Sequence, residues 1–320
     1  MTVFRTVIKP PFPAPDMELG EGIVCIGSCF AQRIGQYFED HFLPCLINPN
    51  GTLYHPIPIA DLLNRLADPT SVYEPSACFE LNNRWYSNYH QGQHSAGTES
   101  ELLSILNDTL SHTRSALNDA DVIIITLGTA WGYILNASGQ CVANCHKRPA
   151  TCFTRHLFEP EILYSALKSA CECLKAHYSH LSIILTVSPV RHLRDNPFHN
   201  SVSKAHLLSV AYKLQEDHLV TYFPSYELML DDLRDYRFYD PDMAHPSITA
   251  VSYIADVYTE WAYGEKGLAY VKQAEALRRR YAHKPIDTQS DAAQRFQKTT
   301  KKVATELKRT YPFACVEVDP

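Results

Sequence analysis

The run Asp121-Val122-Ile123-Ile124-Ile125-Thr126-Leu127 carries no charge after its first residue and is dominated by β-branched side chains. A strand of that kind has no face to offer water, so it belongs in a sheet covered on both sides. Leu181 to Val187 repeats the pattern, and Ile23 to Ile26, Cys45 to Ile47 and Leu219 to Phe223 are shorter apolar runs. Helical spacing separates them: about Phe30 to Phe42, then Ile59, Leu62, Leu63 and Leu66, then a helix capped by Thr98 and marked by Leu102, Leu103, Ile105, Leu106 and Leu110. Glu159 to Tyr178, Lys204 to Gln215 and Ile248 to Tyr263 continue the series. Strands alternating with helices predict an α/β fold with a parallel sheet and right-handed crossovers.

Several segments interrupt that rhythm. Residues 70–97 lack periodicity and are rich in Asn, His, Tyr and Ser, which predicts an insertion able to overhang a site. Residues 132–158 predict a long loop or hairpin. After Gly264 the chain becomes rich in Ala, Lys, Arg and Gln at helical spacing, so the expected division is a main domain over 1–263 and a helical extension over 264–320.

Lys and Arg number 29 against 35 Asp and Glu, a net charge of −6, which gives no basic excess for a nucleic-acid partner. No apolar run reaches the roughly 18–20 residues of a membrane span. The Pro-rich first fifteen residues lack the apolar core of a secretion signal, and ten scattered cysteines in a chain of 320 suit free thiols in a reducing compartment. A cytoplasmic location is the expectation.

Chemistry concentrates in two stretches. Ile23-Val24-Cys25-Ile26-Gly27-Ser28-Cys29-Phe30-Ala31 reads as strand, tight turn, helix, with Ser28 at the carboxyl edge of the sheet, where α/β proteins place ligands. Ser28 is suited to cap the helix, or to act as a nucleophile. Asp242-Met243-Ala244-His245 supplies a base and an acid three residues before it. A hydroxyl is a weak nucleophile at neutral pH, so His245 must take its proton while Asp242 holds the imidazole tautomer. Cys29 is the other nucleophile candidate; the reading sets it behind Ser28, because neighbouring side chains at such a turn point apart, and gives its N–H to the oxyanion.

The stretch Gly27-Ser28-Cys29-Phe30-Ala31 resembles the signature of the GSCFA domain family, a bacterial relative of the SGNH (GDSL-like) hydrolases. Asn48 to Tyr54, Leu127 to Trp131, Asn144 to Lys147, Thr186 to His192 and Tyr222 to His245 agree with it, so the resemblance covers about residues 20–262. It implies a three-layer flavodoxin-like fold with strand order 2-1-3-4-5. It also implies a nucleophilic Ser28, an oxyanion donor at Gly51, and a catalytic Asp242 and His245. The superfamily's Gly-x-Asn-Asp after the third strand is replaced by Gly128-Thr129-Ala130-Trp131, which leaves Thr129 as the expected third oxyanion donor beside the N–H groups of Ser28 and Gly51.

The implied activity is hydrolysis of carboxylic esters, including O-acyl groups of a carbohydrate, through an acyl-serine. Acyl transfer to another alcohol, or glycan binding by a relic site, are the alternatives. Asn50, Trp131, His146, Lys147, Arg191 and His192 are candidates for substrate binding, with walls from segments 84–95, 144–148 and 190–204. No cofactor is expected. His90 with His94, and Cys141 and Cys145 with His146, lie close enough in sequence to raise a metal, yet neither set has a zinc-site spacing, and none is expected.

Overall fold

The structure is a computed structural model and describes residues 5–287 and 289–317. In chain order β1 (Gly22–Gly27), α1 (Cys29–Asp40), β2 (Cys45–Ile47) and α2 (Pro56–Ala67) lead to β3 (Cys78–Leu81), β4 (Arg84–Ser87) and β5 (Ser95–Ala96). Then come α3 (Glu99–Asp119), β6 (Ala120–Leu127), β7 (Trp131–Leu135), β8 (Gln140–Val142), β9 (Phe153–Leu157) and α4 (Pro160–His177). The chain continues with β10 (Ser182–Val187), α5 (Pro197–Glu216), β11 (Thr221–Tyr222), the short turn α6 (Ser225–Glu227), α7 (Ile248–Ala282) and α8 (Asp291–Thr310).

Five strands form one parallel sheet in the order β11-β10-β6-β1-β2. Counted over all strands this is 2-1-6-10-11, whereas the expected 2-1-3-4-5 counts only the strands of the central sheet. The difference comes from six strands inside the expected insertion and the expected long loop or hairpin. Residues 78–96 form one three-stranded antiparallel sheet, and residues 131–157 form another. Their side chains alternate too weakly to announce strands, because each ribbon is covered on one side only in part.

Alternation along the central strands sorts the core into two halves. Val24 and Ile26 of β1, Ile123 and Ile125 of β6, and Ile183 and Leu185 of β10 face α2, α3, α4 and α5. Ile23 and Cys25, Val122 and Ile124, and Ile184 face α1, α7 and α8. Both faces are covered, which is why these strands show no polar period. Tyr270, Val271, Ala274 and Leu277 of α7 and Leu307 of α8 join the same core as Phe30, Ile34 and Phe38 of α1. The valine, leucine, isoleucine and phenylalanine side chains among these each contribute about 1.5–3 kcal/mol by leaving water, and the Tyr270 hydroxyl donates to His41 O at 2.8 Å.

Helix ends follow local chemistry. Thr98 and Glu101 form a reciprocal capping box at the start of α3. Pro197 opens α5 behind an Asn196 cap, so the helix begins seven residues earlier than apolar spacing suggests. Gly264 breaks the geometry inside α7 at φ 61°, ψ −150°, a conformation open to glycine and costly for other residues.

Candidate active site

Gly27 ends β1 at φ +138°, and a Cβ there would lie 2.2 Å from Thr126 O. Only glycine lets β1 run that close to β6 and turn into α1. Ser28 follows with extended backbone (φ −69°, ψ 175°) and is the cap of α1, its Oγ accepting the Phe30 N–H at 3.2 Å. Ser28 is 1% exposed, and its own N–H is bound to Thr126 O at 3.1 Å. The hydroxyl turns back over the helix start, as a capping serine does.

The next residue has the position the sequence reading gave to Ser28. Cys29 Sγ lies 3.4 Å from His245 Nε2, and His245 Nδ1 lies 2.6 Å from Asp242 Oδ2. With the proton of the neutral imidazole on Nδ1, donated to the carboxylate, Nε2 is an acceptor facing the thiol. The expected Ser28–His245 contact is therefore replaced by Cys29–His245. The reason is geometric: the cap position faces inward over the helix, and the first helical position faces out of the sheet edge.

Asp242 is held as an anion by its loop. Its Oδ1 accepts the N–H groups of Ala244 (2.9 Å) and His245 (3.0 Å), and these with the His245 ring hold its carboxyl well below the usual range. Met243, between them, sits at φ 57°, an uncommon conformation for a side-chain-bearing residue and one that closes the tight Asp-x-x-His turn. Arg33, one turn along α1 from Cys29, ties this loop to the helix: Nη1 donates to Pro246 O at 2.5 Å and Nη2 to Asp240 Oδ2 at 2.6 Å. The thiol and the base are thus carried by two elements that one guanidinium clamps together.

Burial pushes the Cys29 thiol up, and Arg33, Lys204 and the N–H groups of Cys29 and Phe30 oppose the shift without cancelling it. At rest the sulfur is a thiol beside a base. Lys204 was not singled out from the sequence. It is wholly enclosed, and Nζ donates to Gly128 O at 2.6 Å and Ser188 O at 2.7 Å, the first carbonyls beyond β6 and β10. Burial, helped by the charge of Arg191, lowers it to about 7, while Cys29 acts in the opposite sense. Near neutral pH it is therefore poised between ammonium and amine, and either form can donate to both carbonyls. The available signal was a lysine on the buried stripe Asn200, Lys204, Leu207, Ala211, Leu214 of α5.

The oxyanion arrangement expected from Ser28, Gly51 and Thr129 does not form. Gly51 N–H is bound to Asn48 O at 2.7 Å and Thr129 N–H to Tyr54 O at 3.0 Å. The Thr129 hydroxyl pairs with Ser203 Oγ at 3.0 Å and accepts the Trp131 N–H. The Gly51 N–H closes a local turn, while those of Ser28 and Thr129 tie their strand exits to β6 and to the segment at Tyr54. Cys29 N–H, the first of α1, carries no such bond among the described residues and stands at the positive end of the helix dipole.

A cleft of about 950 Å³ opens over Cys29, Asp242 and His245. Of the substrate candidates, Trp131, Lys147, Arg191 and His192 line it. Asn50 and His146 do not: Asn50 is 1% exposed and donates to Tyr73 and His90, and His146 bonds Ser87 O at 2.7 Å beneath Phe79 and Tyr86. Both brace the insertion against its surroundings. Segments 143–148 and 190–195 form much of the wall together with Trp131 to Tyr133, Phe153 and Arg155, and residues 84–95 contribute none. His192 meets Gly128 O at 3.3 Å, and burial holds it at about 4, so it is neutral. Among the described residues no three His, Cys, Asp or Glu side chains come together to hold a metal ion.

Fold and site together define an α/β protein with a hydrogen-bonded cysteine, histidine and aspartate at the carboxyl edge of a parallel sheet. The chain belongs to the GSCFA family, whose model matches residues 22–258, from β1 into α7. No curated protein matches the chain. No helix among the described residues is long and apolar enough to cross a membrane.

Proposed function

We propose that this protein is an acyl hydrolase of carboxylic esters whose nucleophile is Cys29, on a fold related to the SGNH (GDSL-like) hydrolases. The observation that carries the reading is the continuous series Cys29 Sγ, His245 Nε2, His245 Nδ1, Asp242 Oδ2 at 3.4 and 2.6 Å. Cys29 Sγ attacks the ester carbonyl carbon as its proton passes to His245 Nε2. Asp242 stabilises the imidazolium that results. Negative charge gathers on the carbonyl oxygen, and the Cys29 N–H at the start of α1 is the donor placed to meet it. The alcohol leaves with the proton from His245, giving a thioester on Cys29. Water then attacks the thioester, His245 again takes the proton, and carboxylate and free thiol are released.

All ten cysteines are unpaired, a state that suits a thiol nucleophile and the cytoplasmic location we assign. Incubation with p-nitrophenyl acetate, followed by mass mapping, should find the acetyl group on Cys29. Acetate release measured with and without a sugar acceptor separates hydrolysis from transfer. A protein that never labels at Cys29, with iodoacetamide or with the ester, would sink the reading.

A further inference from the structure

The cleft over Cys29 is cationic on a protein whose net charge is −6. Lys147, Arg148, Arg155, Arg191 and Arg194 line it, against only two carboxylates, Asp195 and Asp242. Both carboxylates are already engaged, Asp195 by Arg155 and Asp242 by His245. Four cations remain with no carboxylate partner among the described residues. Arg191 is bound through its backbone N–H to Ala244 O at 3.1 Å beside the histidine loop, and its guanidinium meets the neutral Tyr226 hydroxyl. Arg194 has its guanidinium 5.7 Å from the centre of the Tyr133 ring. Arg148 lies 3.9 Å from the centre of the Phe79 ring and donates to Asn88 Oδ1 at 2.7 Å, so it is fixed in place by neutral groups. Lys147 is exposed on a turn braced by Asn144 Oδ1, which accepts the His146 N–H at 2.7 Å. Burial pushes the Cys145 thiol up and the charges of Arg148 and Arg194 both oppose the shift, so both are within electrostatic reach of that side chain.

Like charges converge at a cost unless an anion meets them, and a cleft focuses their field. Arginine forks match phosphate oxygens two at a time, and an ammonium beside them adds a point charge. A space of about 950 Å³ is at the upper end of small-molecule sites, large enough for an acyl group together with a charged carrier. Leu193, 66% exposed, lines the same wall and adds an apolar surface beside the charges.

We infer that the cleft wall formed by Lys147, Arg148, Arg191 and Arg194 is a phosphate subsite, and that the acyl substrate of Cys29 carries a phosphate or diphosphate group. The assignment of this group to the substrate rests on the acyl-transfer reading above; the subsite itself does not. The test is calorimetric titration of the full-length protein with pyrophosphate at low ionic strength. Binding is expected in the wild type and in Cys29→Ala. It should weaken at least tenfold in Lys147→Ala/Arg194→Ala, whose two side chains are exposed and whose loss leaves the core intact, and it should weaken as salt is raised.

Pyrophosphate should also slow alkylation of Cys29 by iodoacetamide. Malonate, a dicarboxylate, should bind several-fold less tightly. Absence of pyrophosphate binding, equal binding by the double variant, equal binding of malonate, or binding without protection of Cys29 would each overturn the inference. If pyrophosphate binds Cys29→Ala and fails to bind the double variant while Cys29 resists every acylating probe, the subsite stands and the acyl-transfer reading falls.

Discussion

Adjacent residues Ser28 and Cys29 should answer oppositely to the same substitution. Ser28→Ala removes the hydroxyl that caps α1 through Phe30 N–H at 3.2 Å. Ser28 and Phe30 are each 1% exposed, so the freed N–H finds no water. A lost cap costs about 1 kcal/mol, and a buried donor left bare brings the total to about 1–2 kcal/mol. In a chain of this size that lowers Tm by about 2–4 °C. Turnover should stay within about threefold of wild type, because the Cys29–His245–Asp242 contacts are untouched. Cys29→Ala should do the reverse: little change in Tm and a fall in ester turnover of about 10³-fold or more. The assay pairs p-nitrophenyl acetate hydrolysis with a thermal melt on the same preparations. A Ser28→Ala protein that melts within 4 °C of wild type but has lost turnover would falsify the cysteine assignment and return the nucleophile to Ser28.

Asp242→Asn leaves one acceptor oxygen, which the Ala244 and His245 N–H groups hold, so its NH2 faces His245 Nδ1 and turns the ring to the wrong tautomer, and kcat should fall about 10⁴-fold; an unchanged kcat would show that His245 works without the carboxylate. Arg33→Ala cuts both ties between α1 and the histidine loop, so acylation of Cys29 should slow at least tenfold while Tm drops only about 2 °C; Arg33→Lys should recover part of the rate, and equal rates in all three proteins would remove the clamp from the mechanism. Lys204 titrates at about 7 in the fold against an ordinary 10.5. Between those values the unfolded chain holds a proton that the folded chain does not, so stability from this residue rises with pH across the window and is lost as pH falls through 7. Lys204→Met should flatten the difference in urea midpoint between pH 7 and pH 9, and an unaltered slope would refute the buried neutral amine.

The apolar runs at 23–26, 122–127 and 183–187 are strands because they have no charged side chain to turn to water, and that property is carried by each residue alone. The same holds for Asp242 and His245, whose spacing of three closes a turn that brings carboxylate to ring at 2.6 Å. The small sheets at 78–96 and 131–157 were less legible. Their strands are short, and in β3, β7 and β9 most positions are exposed or half-buried, so the apolar period is blurred. Gly51 and Thr129 are the expected donors from their place after strands, but the Gly51 N–H closes its own turn and the Thr129 N–H is taken by Tyr54 O from a distant segment.

What the sequence by itself determined is the parallel α/β frame, the turn at Gly27 and the pairing of Asp242 with His245. These rest on local periods, on φ/ψ freedom and on short spacings. Only the tertiary structure decided which of Ser28 and Cys29 meets His245, because two residues one peptide apart differ in which way they face, and that depends on where α1 lies against β6 and the histidine loop. It also decided that Lys204 of α5 is sealed behind β6 and β10, and that Lys147 and Arg194, 47 positions apart in the chain, share one wall. Charge and burial at such places are sums over distant segments, and no window of sequence contains them.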